Sequence, residues 1–414
     1  MLAHPLHLKL LLDTDCTVTV FEGLKYNSID GELVAVAGDS WALRSEPISV
    51  TWHSIKGIIN EESCSEIISA LNSDVEALDQ KDIVTKSFYS QEKMIARAAR
   101  LALIAEEVCC FDVILEIRDF LRDAIEPWLS GSSGANNGFL YESKWGGIVT
   151  KKGCLDSGAD NGFGAYNSHH SQIGYFIYGI AVLSKIDSVW GRKYKRQAYS
   201  LVGDYMNLGR RESSHYPRLR CFDMWKLHSW GGGLTEYADG RNQESTSEAV
   251  NAYYSAASMG VAFGDPHLVA IGSTLSALEI LSAQTWWQAR DGDTIHPEDF
   301  KRENRLVSVL WANKRDSNLW LAQAEWREHR FVKQLVEWTE PALAREGVAD
   351  RWKGFVYALE GLYDKEGALE KIRNLKGFDD GNSLTNLLWW IHSRDDNNEG
   401  VGSERGRQFM CWSP

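Results

Sequence analysis

Apolar positions along this chain follow two different periods, and the change falls near residue 60. Before it, residues 16–21 (CTVTVF) and 32–37 (ELVAVA) are short apolar runs rich in Val and Thr. They read as strands, with residues 49–52 (SVTW) as a third after a proline. Residues 28–31 (SIDG) supply the turn between the first two. Three or four strands make a poor independent sheet with exposed edges, so this stretch is expected to be the tail end of a larger β-domain. After residue 60 the period becomes helical. Ile67, Leu71 and Val75 recur every fourth residue, and the pattern continues over 94–108 and 111–129. A Gly- and Ser-rich break at 130–138 leads into a short extended piece at 139–149. Helices are then predicted over 169–186, 192–209, 245–263, 266–288, 328–345, 351–363 and 381–393. No repeat of fixed period appears, which argues against a regular solenoid. Apolar-faced helices separated by long loops predict a helical toroid whose loops build a site at one end.

Charge and composition narrow the function. A net charge of −13 over 414 residues argues against a nucleic-acid partner. The one short basic run, residues 192–196 (RKYKR), reads as the exposed face of a helix. The 17 Trp, 15 Tyr and 14 Phe are many rings for a polar chain. Rings beside carboxylates suit the apolar faces and hydroxyls of sugars, and core packing is the competing use. The seven cysteines form no CxxC or zinc spacing and, with the vicinal pair Cys109 and Cys110, read as buried small hydrophobes. The N-terminus lacks the three-part pattern of a secretion signal. No apolar stretch reads as long enough to span a bilayer, so membrane insertion is not expected. Compartment and oligomeric state stay open.

The candidate chemistry gathers in residues 225–254. Glu244 and Glu248 stand four residues apart at the start of a predicted helix, a spacing that puts two side chains on one helical face. Ser245, Thr246 and Ser247 offer capping oxygens. Gly231, Gly232 and Gly233 allow tight or left-handed backbone, and Asp239-Gly240 signals a turn. The two acids have no Lys or Arg at helical spacing and sit near Trp225, His228, Trp230 and Tyr237, which favours a site over a solvated helix face.

Three stretches, 166–183 (YNSHHSQIGYFIYGIAVL), 219–240 (LRCFDMWKLHSWGGGLTEYADG) and 240–254 (GRNQESTSEAVNAYY), closely resemble glycoside hydrolase family 81, the endo-1,3-β-glucanases. Residues 144–149, 188–201 and 381–394 resemble its plant branch, which includes β-glucan-binding proteins that perceive oomycete wall fragments. The resemblance implies a mainly α protein: an (α/α)6 barrel over 131–395, a helical connecting region at 58–130 contributing to it, and a truncated N-terminal β-sandwich remnant at 1–57. Residues 396–414 are left as a polar tail. It also implies inverting hydrolysis of β-1,3-glucan, a cell-wall substrate, with no metal and no cofactor. Inversion needs an acid to protonate the leaving oxygen and a carboxylate, roughly 6.5–9.5 Å away, to activate water. The NQESTSE motif is intact, placing Glu248 as the base and Glu244 as its partner.

The other half of the motif departs from the family. Ser168 stands where the family carries its general-acid Asp, and Gln172 replaces a functional His. A hydroxyl is far too weak an acid for that role, and general acid catalysis contributes about 10²–10⁴-fold. A family segment near Arg330 is absent as well. The expectation is a weakened hydrolase; the alternative is an inactive β-1,3-glucan-binding protein of elicitor perception. Expected glucan contacts are Tyr166, Asn167, His169, His170, Gln172, Asp223, Trp225, His228, Trp230 and Asn242. Loop support is the competing role for Tyr166, Asn167 and Asp223, core packing for the two tryptophans, and a structural role for His169 and His170.

Overall fold

The computed structural model describes residues 1–11, 18–79, 87–132, 137–209, 215–290, 292–303, 306–317, 350–362 and 364–394. Thirteen helices are named here in chain order: α1 Pro5–Leu10, α2 Glu61–Glu76, α3 Phe88–Glu107, α4 Ile114–Ser130, α5 Lys151–Leu155, α6 His169–Ile186, α7 Ser188–Met206, α8 Thr246–Phe263, α9 Pro266–Ser282, α10 Glu298–Glu303, α11 Asp350–Glu360, α12 Lys365–Arg373 and α13 Leu384–His392. The protein is mainly helical. Its largest apolar core runs from Ile67 to Ile391 and is built by α2, α3, α4, α6, α7, α8 and the C-terminal helices. Helix α6 lies at the centre, packed against α3, α7 and α8, and α8 packs in turn on α9. Ile173, Phe176, Ile177 and Ile180 are among its buried side chains, and so are its polar His169, His170 and Gln172.

Among the described residues, four small antiparallel sheets decorate this body. Strands β1 (Leu2–Ala3), β2 (Thr19–Ser28) and β3 (Gly31–Ala37) form one in the order β1-β3-β2. The turn expected at 28–31 is present, with Gly31 at φ +86° pairing with Ser28. Its tip is latched to the helical body: Asp30 pairs with Lys226 at 2.5 Å and with Arg315 at 2.7 Å. Burial pushes the Asp30 carboxyl up, but the two cations outweigh it and hold it below the ordinary range. Strands β4 (Phe139–Glu142) and β5 (Gly147–Thr150) form the hairpin expected at 139–149. Strand β6 (Phe222–Asp223) pairs with β7 (His228–Ser229), and β8 (Asn242–Gln243) joins β9 (Val309–Trp311) and β10 (Arg315–Asp316).

Several expectations need correction. Residues 49–52 form no strand, while helix α1 interrupts the stretch read as purely β. Helix α7 starts at Ser188 rather than 192, because Asp187 caps it by accepting the Trp190 N–H at 2.9 Å. Helix α12, Asp364-capped and charged, was not anticipated. Cys109 and Cys154 are exposed rather than buried; Cys221 alone of the described cysteines is buried. Helix Pro266–Trp287, 22 residues with a mean hydropathy of 1.3 over an 18-residue window, is long and apolar enough to span a membrane by length and composition only. Its interspersed Ser, Thr and Gly mask that in the sequence, and in the fold it packs on α8. The basic run at 192–196 does lie on an exposed helix face, with Tyr194 turned inward. The helix expected at 328–345, the segment near Arg330 and the tail at 396–414 lie outside the described residues.

Candidate active site

Glu248 occupies the first turn of α8 and is 5% exposed. Its Oε1 accepts two hydroxyls, from Tyr89 of α3 at 2.8 Å and from Tyr175 of α6 at 3.0 Å. Burial, then the adjacent Glu248 charge, raises the Tyr89 phenol well above its ordinary value, so it stays a donor. One turn along α3 from Tyr89, Glu92 is fully buried with no hydrogen-bond partner on either oxygen. Burial drives its carboxyl well up, and Asp160 and Glu248 add to the shift, favouring the protonated form.

Glu244 sits outside the helix. It lies between β8 and the α8 cap Ser245, half-buried, so the two acids do not share a helical face. The Ser245 hydroxyl makes no capping bond; instead its backbone N–H donates to the Gln243 Oε1 at 2.9 Å.

None of the three glycines has positive φ, and close approach requires glycine at Gly233 and crowds Gly232, where a Cβ would stand 3.0 Å from Asn242 Oδ1. A Cβ on Gly233 would lie 2.3 Å from the carbonyl of Tyr166, which no side chain tolerates. Gly231 is the stitch. Its N–H donates to the Asn242 carbonyl at 2.7 Å, and its carbonyl accepts the Ser168 N–H at 2.6 Å. A Cβ built there would stand 3.6 Å from Ser168 Oγ and 3.8 Å from Gln243 Oε1. The glycine strip therefore brings Ser168 and the segment leading to Glu244 together.

On the Ser168 side the backbone is left-handed at Tyr166 (φ 59°) and Ser168 (φ 45°), immediately before α6 begins. Asn167 secures this loop, accepting the Gly233 N–H at 3.0 Å and donating to Thr235 Oγ1 at 2.7 Å. Gln172 is buried one turn into α6 and donates to the Asn167 carbonyl at 3.3 Å.

Most of the expected glucan contacts lie inside the protein. His169 donates to Asp204 at 2.7 Å, and Arg220 and the Ile148 N–H also bond that carboxylate. His170 Nε2 meets Ser229 Oγ at 2.8 Å, and burial lowers its pKa to about 3. His228 is likewise buried and lowered to about 4, its Nδ1–H donating to the Ser229 carbonyl. Tyr166 is buried beneath Arg220, which stacks 4.4 Å from its ring centre. Trp230 is core, with its Nε1–H on Asp223 at 3.0 Å. Asp223 also accepts the N–H groups of Trp225 and Lys226. Asn242 is buried in β8. Trp225 is half-buried, with His4 and His7 edge-on against its ring. Thus Ser168, Glu244, Asn167, Asp223 and Trp225 keep exposure. His169, His170, Gln172, His228, Trp230, Asn242 and Tyr166 are buried. Sequence reasoning missed Tyr89, Tyr175, Glu92 and Glu279; Glu279 carried a signal, as the one Asp, Glu, Lys or Arg in α9. Among the described residues, no three His, Cys, Asp or Glu side chains are grouped to hold a metal ion.

The family model described as "Glycosyl hydrolase family 81 C-terminal domain" matches residues 58–391. A Glycine max protein named "Glucan endo-1,3-beta-D-glucosidase" is 61% identical over 417 residues, covering 96% of this chain and 62% of the relative. A Saccharomyces cerevisiae protein named "Glucan endo-1,3-beta-D-glucosidase 2" is 25% identical over 82% of this chain and 46% of its own length. The chain thus spans roughly half to three-fifths of these relatives. A solved structure, a mutant of glycoside hydrolase family 81 from Clostridium thermocellum, superimposes with a TM-score of 0.79 at 20% identity. It covers 94% of this chain and 55% of that one, and at that identity it speaks for the fold alone.

Proposed function

Because the chain belongs to glycosyl hydrolase family 81, we propose that its site binds β-1,3-glucan and cleaves it as an inverting endo-1,3-β-glucanase, slowed by a serine where the family carries its general acid. One observation carries this reading: Ser168 and the backbone leading to the glutamates are hydrogen-bonded to the same residue, Gly231. An acid position and a carboxylate base thereby flank one strip of glycines.

In this account Glu244 is the base. The sequence reading gives that role to Glu248, but Glu248 is buried with one oxygen committed to two tyrosine hydroxyls. A base must reach the water it activates, and half-buried Glu244 is the better placed of the two. Glu248 instead fixes the start of α8 against α3 and α6. Ser168 leaves the departing sugar to take its proton from water. Asn167, Asp223 and Trp225 are the remaining side chains for sugar contact. The helical body is assigned to an (α/α)6 barrel and residues 1–57 to a β-sandwich remnant. Single-residue and two-residue connections at Asp187 and at Gly264-Asp265 support it, since such short links make neighbouring helices antiparallel.

Ser168 also favours a second reading, a glucan-binding protein without turnover. Calorimetric titration of the purified chain with laminarin, alongside reducing-sugar release, separates the two. Binding with slow release supports the first reading and binding with none the second, whereas no binding removes both.

A further inference from the structure

Glu279 is the one Asp, Glu, Lys or Arg of helix α9; it points into the protein and is 0% exposed. An acid so placed, in a helix that packs on α8, needs an explanation. Glu279 Oε1 accepts the backbone N–H of Ser229 at 2.6 Å. The Ser229 carbonyl and hydroxyl both accept the Gln243 side-chain amide, at 3.0 and 3.1 Å. Gln243 Oε1 in turn accepts the Ser245 N–H at 2.9 Å. Glu244 is the single residue between the two so held.

We propose that Glu279 is a positioning residue for Glu244, acting from behind the site through Ser229 and Gln243. The assignment rests on the reading of Glu244 as the base. The directions of the bonds agree with one another. Gln243 donates to Ser229 Oγ, which leaves the serine O–H to donate to His170 Nε2, and that ring is neutral because burial disfavours its cation. Burial pushes the Glu279 carboxyl up to about 8, so it accepts the Ser229 N–H as a neutral acid. Every member is buried: Glu279, Ser229 and His170 at 0% and Gln243 at 3%. Solvent does not compete for these bonds, and each is correspondingly directional. With all four buried, their effect on the reaction is geometric.

The test uses the full chain with Ser168→Asp to provide turnover, adding Glu279→Leu, Glu279→Gln or Gln243→Leu. Rates on laminarin are divided by the calorimetric binding stoichiometry, which removes any loss of folded protein. Leu at 279 should lower kcat about 10- to 100-fold with KM unchanged, since a displacement of about 1 Å costs that order. Gln at 279 keeps the acceptor and should stay within about threefold. Gln243→Leu cuts the same link from its other end and should match Glu279→Leu, and it stands in if that variant fails to fold. A crystal structure of whichever leucine variant folds should show the Glu244 carboxylate displaced while α8 and α9 superimpose. Glu244 unmoved, or kcat per binding site unchanged, overturns the assignment. So does a Gln variant as slow as the Leu variant. If Ser168→Asp turns nothing over, the glucanase reading fails, and the displacement of Glu244 still decides this one.

Discussion

Residues 166–168 and residues 242–248 flank Gly231, yet they are held by different means. Beyond the β8 backbone pairing and the Asn242 carbonyl on the Gly231 N–H, the second segment is anchored through side chains. Gln243 is tied to Ser229, Glu248 to two tyrosines, and Glu279 backs the pair from α9. In the first, Ser168 is anchored through its backbone, its N–H on Gly231 and its carbonyl on the Gln172 N–H, while the Asn167 side chain ties down the neighbouring loop. The Ser168 side chain caps nothing. A change of residue at 168 therefore leaves the scaffold standing, while a change at 243, 248 or 279 disturbs it. The left-handed backbone at 168 (φ 45°) suits Asp and Asn better than Ser. The side chain at 168 can thus change without losing the architecture around it.

The comparison predicts effects of different sizes on the two sides. The largest falls on the base. In the Ser168→Asp protein, Glu244→Gln should slow laminarin hydrolysis about 10²–10⁴-fold, or roughly 3–5 kcal/mol of barrier, with affinity retained by calorimetry. Retention of rate would move the base elsewhere.

Next in size is the buried acid behind it. Glu279 has a folded value near 8 against an ordinary 4.5, so the folded state holds a proton the unfolded chain releases between those limits. Its contribution is fully present below about pH 4.5 and is lost progressively as pH rises to about 8, reaching roughly 3 kcal/mol at pH 7. Glu279→Gln cannot ionise and should unfold at higher temperature than the parent at pH 7 to 8, the two converging toward pH 4.5. Parallel stability curves across that range would mean that Glu279 does not titrate as described.

A smaller effect is expected at Tyr89→Phe, which removes one donor from buried Glu248. A loss of about 1–3 kcal/mol of stability follows from an under-satisfied buried carboxylate, read by denaturant midpoint. No change would show that Tyr175 alone suffices.

Much of this was legible in the sequence, and the misses have physical causes. The helix expected at 169–186 coincides with α6, and that at 245–263 with α8 to within one residue, because both are long apolar runs. Helix α7 was placed late because an Asp cap, not the first apolar residue, sets its start. The pairing of Ser168 with Gly231 was within reach only as a resemblance. Tyr89 meets Glu248 across 159 residues, a distance at which no local pattern speaks. Exposure was the weakest inference. Histidines and tryptophans beside a carboxylate pair look like substrate contacts, yet here their polar atoms bind Asp204, Ser229 and Asp223.

The central claim is that this chain keeps a glucan site and lacks its proton donor. The most direct test is the laminarin kcat of Ser168→Asp beside that of the parent, with affinities matched by calorimetry. A rise of about 10²-fold or more with unchanged affinity is predicted. A parent already turning over at roughly 1–10³ s⁻¹, or a variant that binds glucan without gaining rate, would contradict the claim.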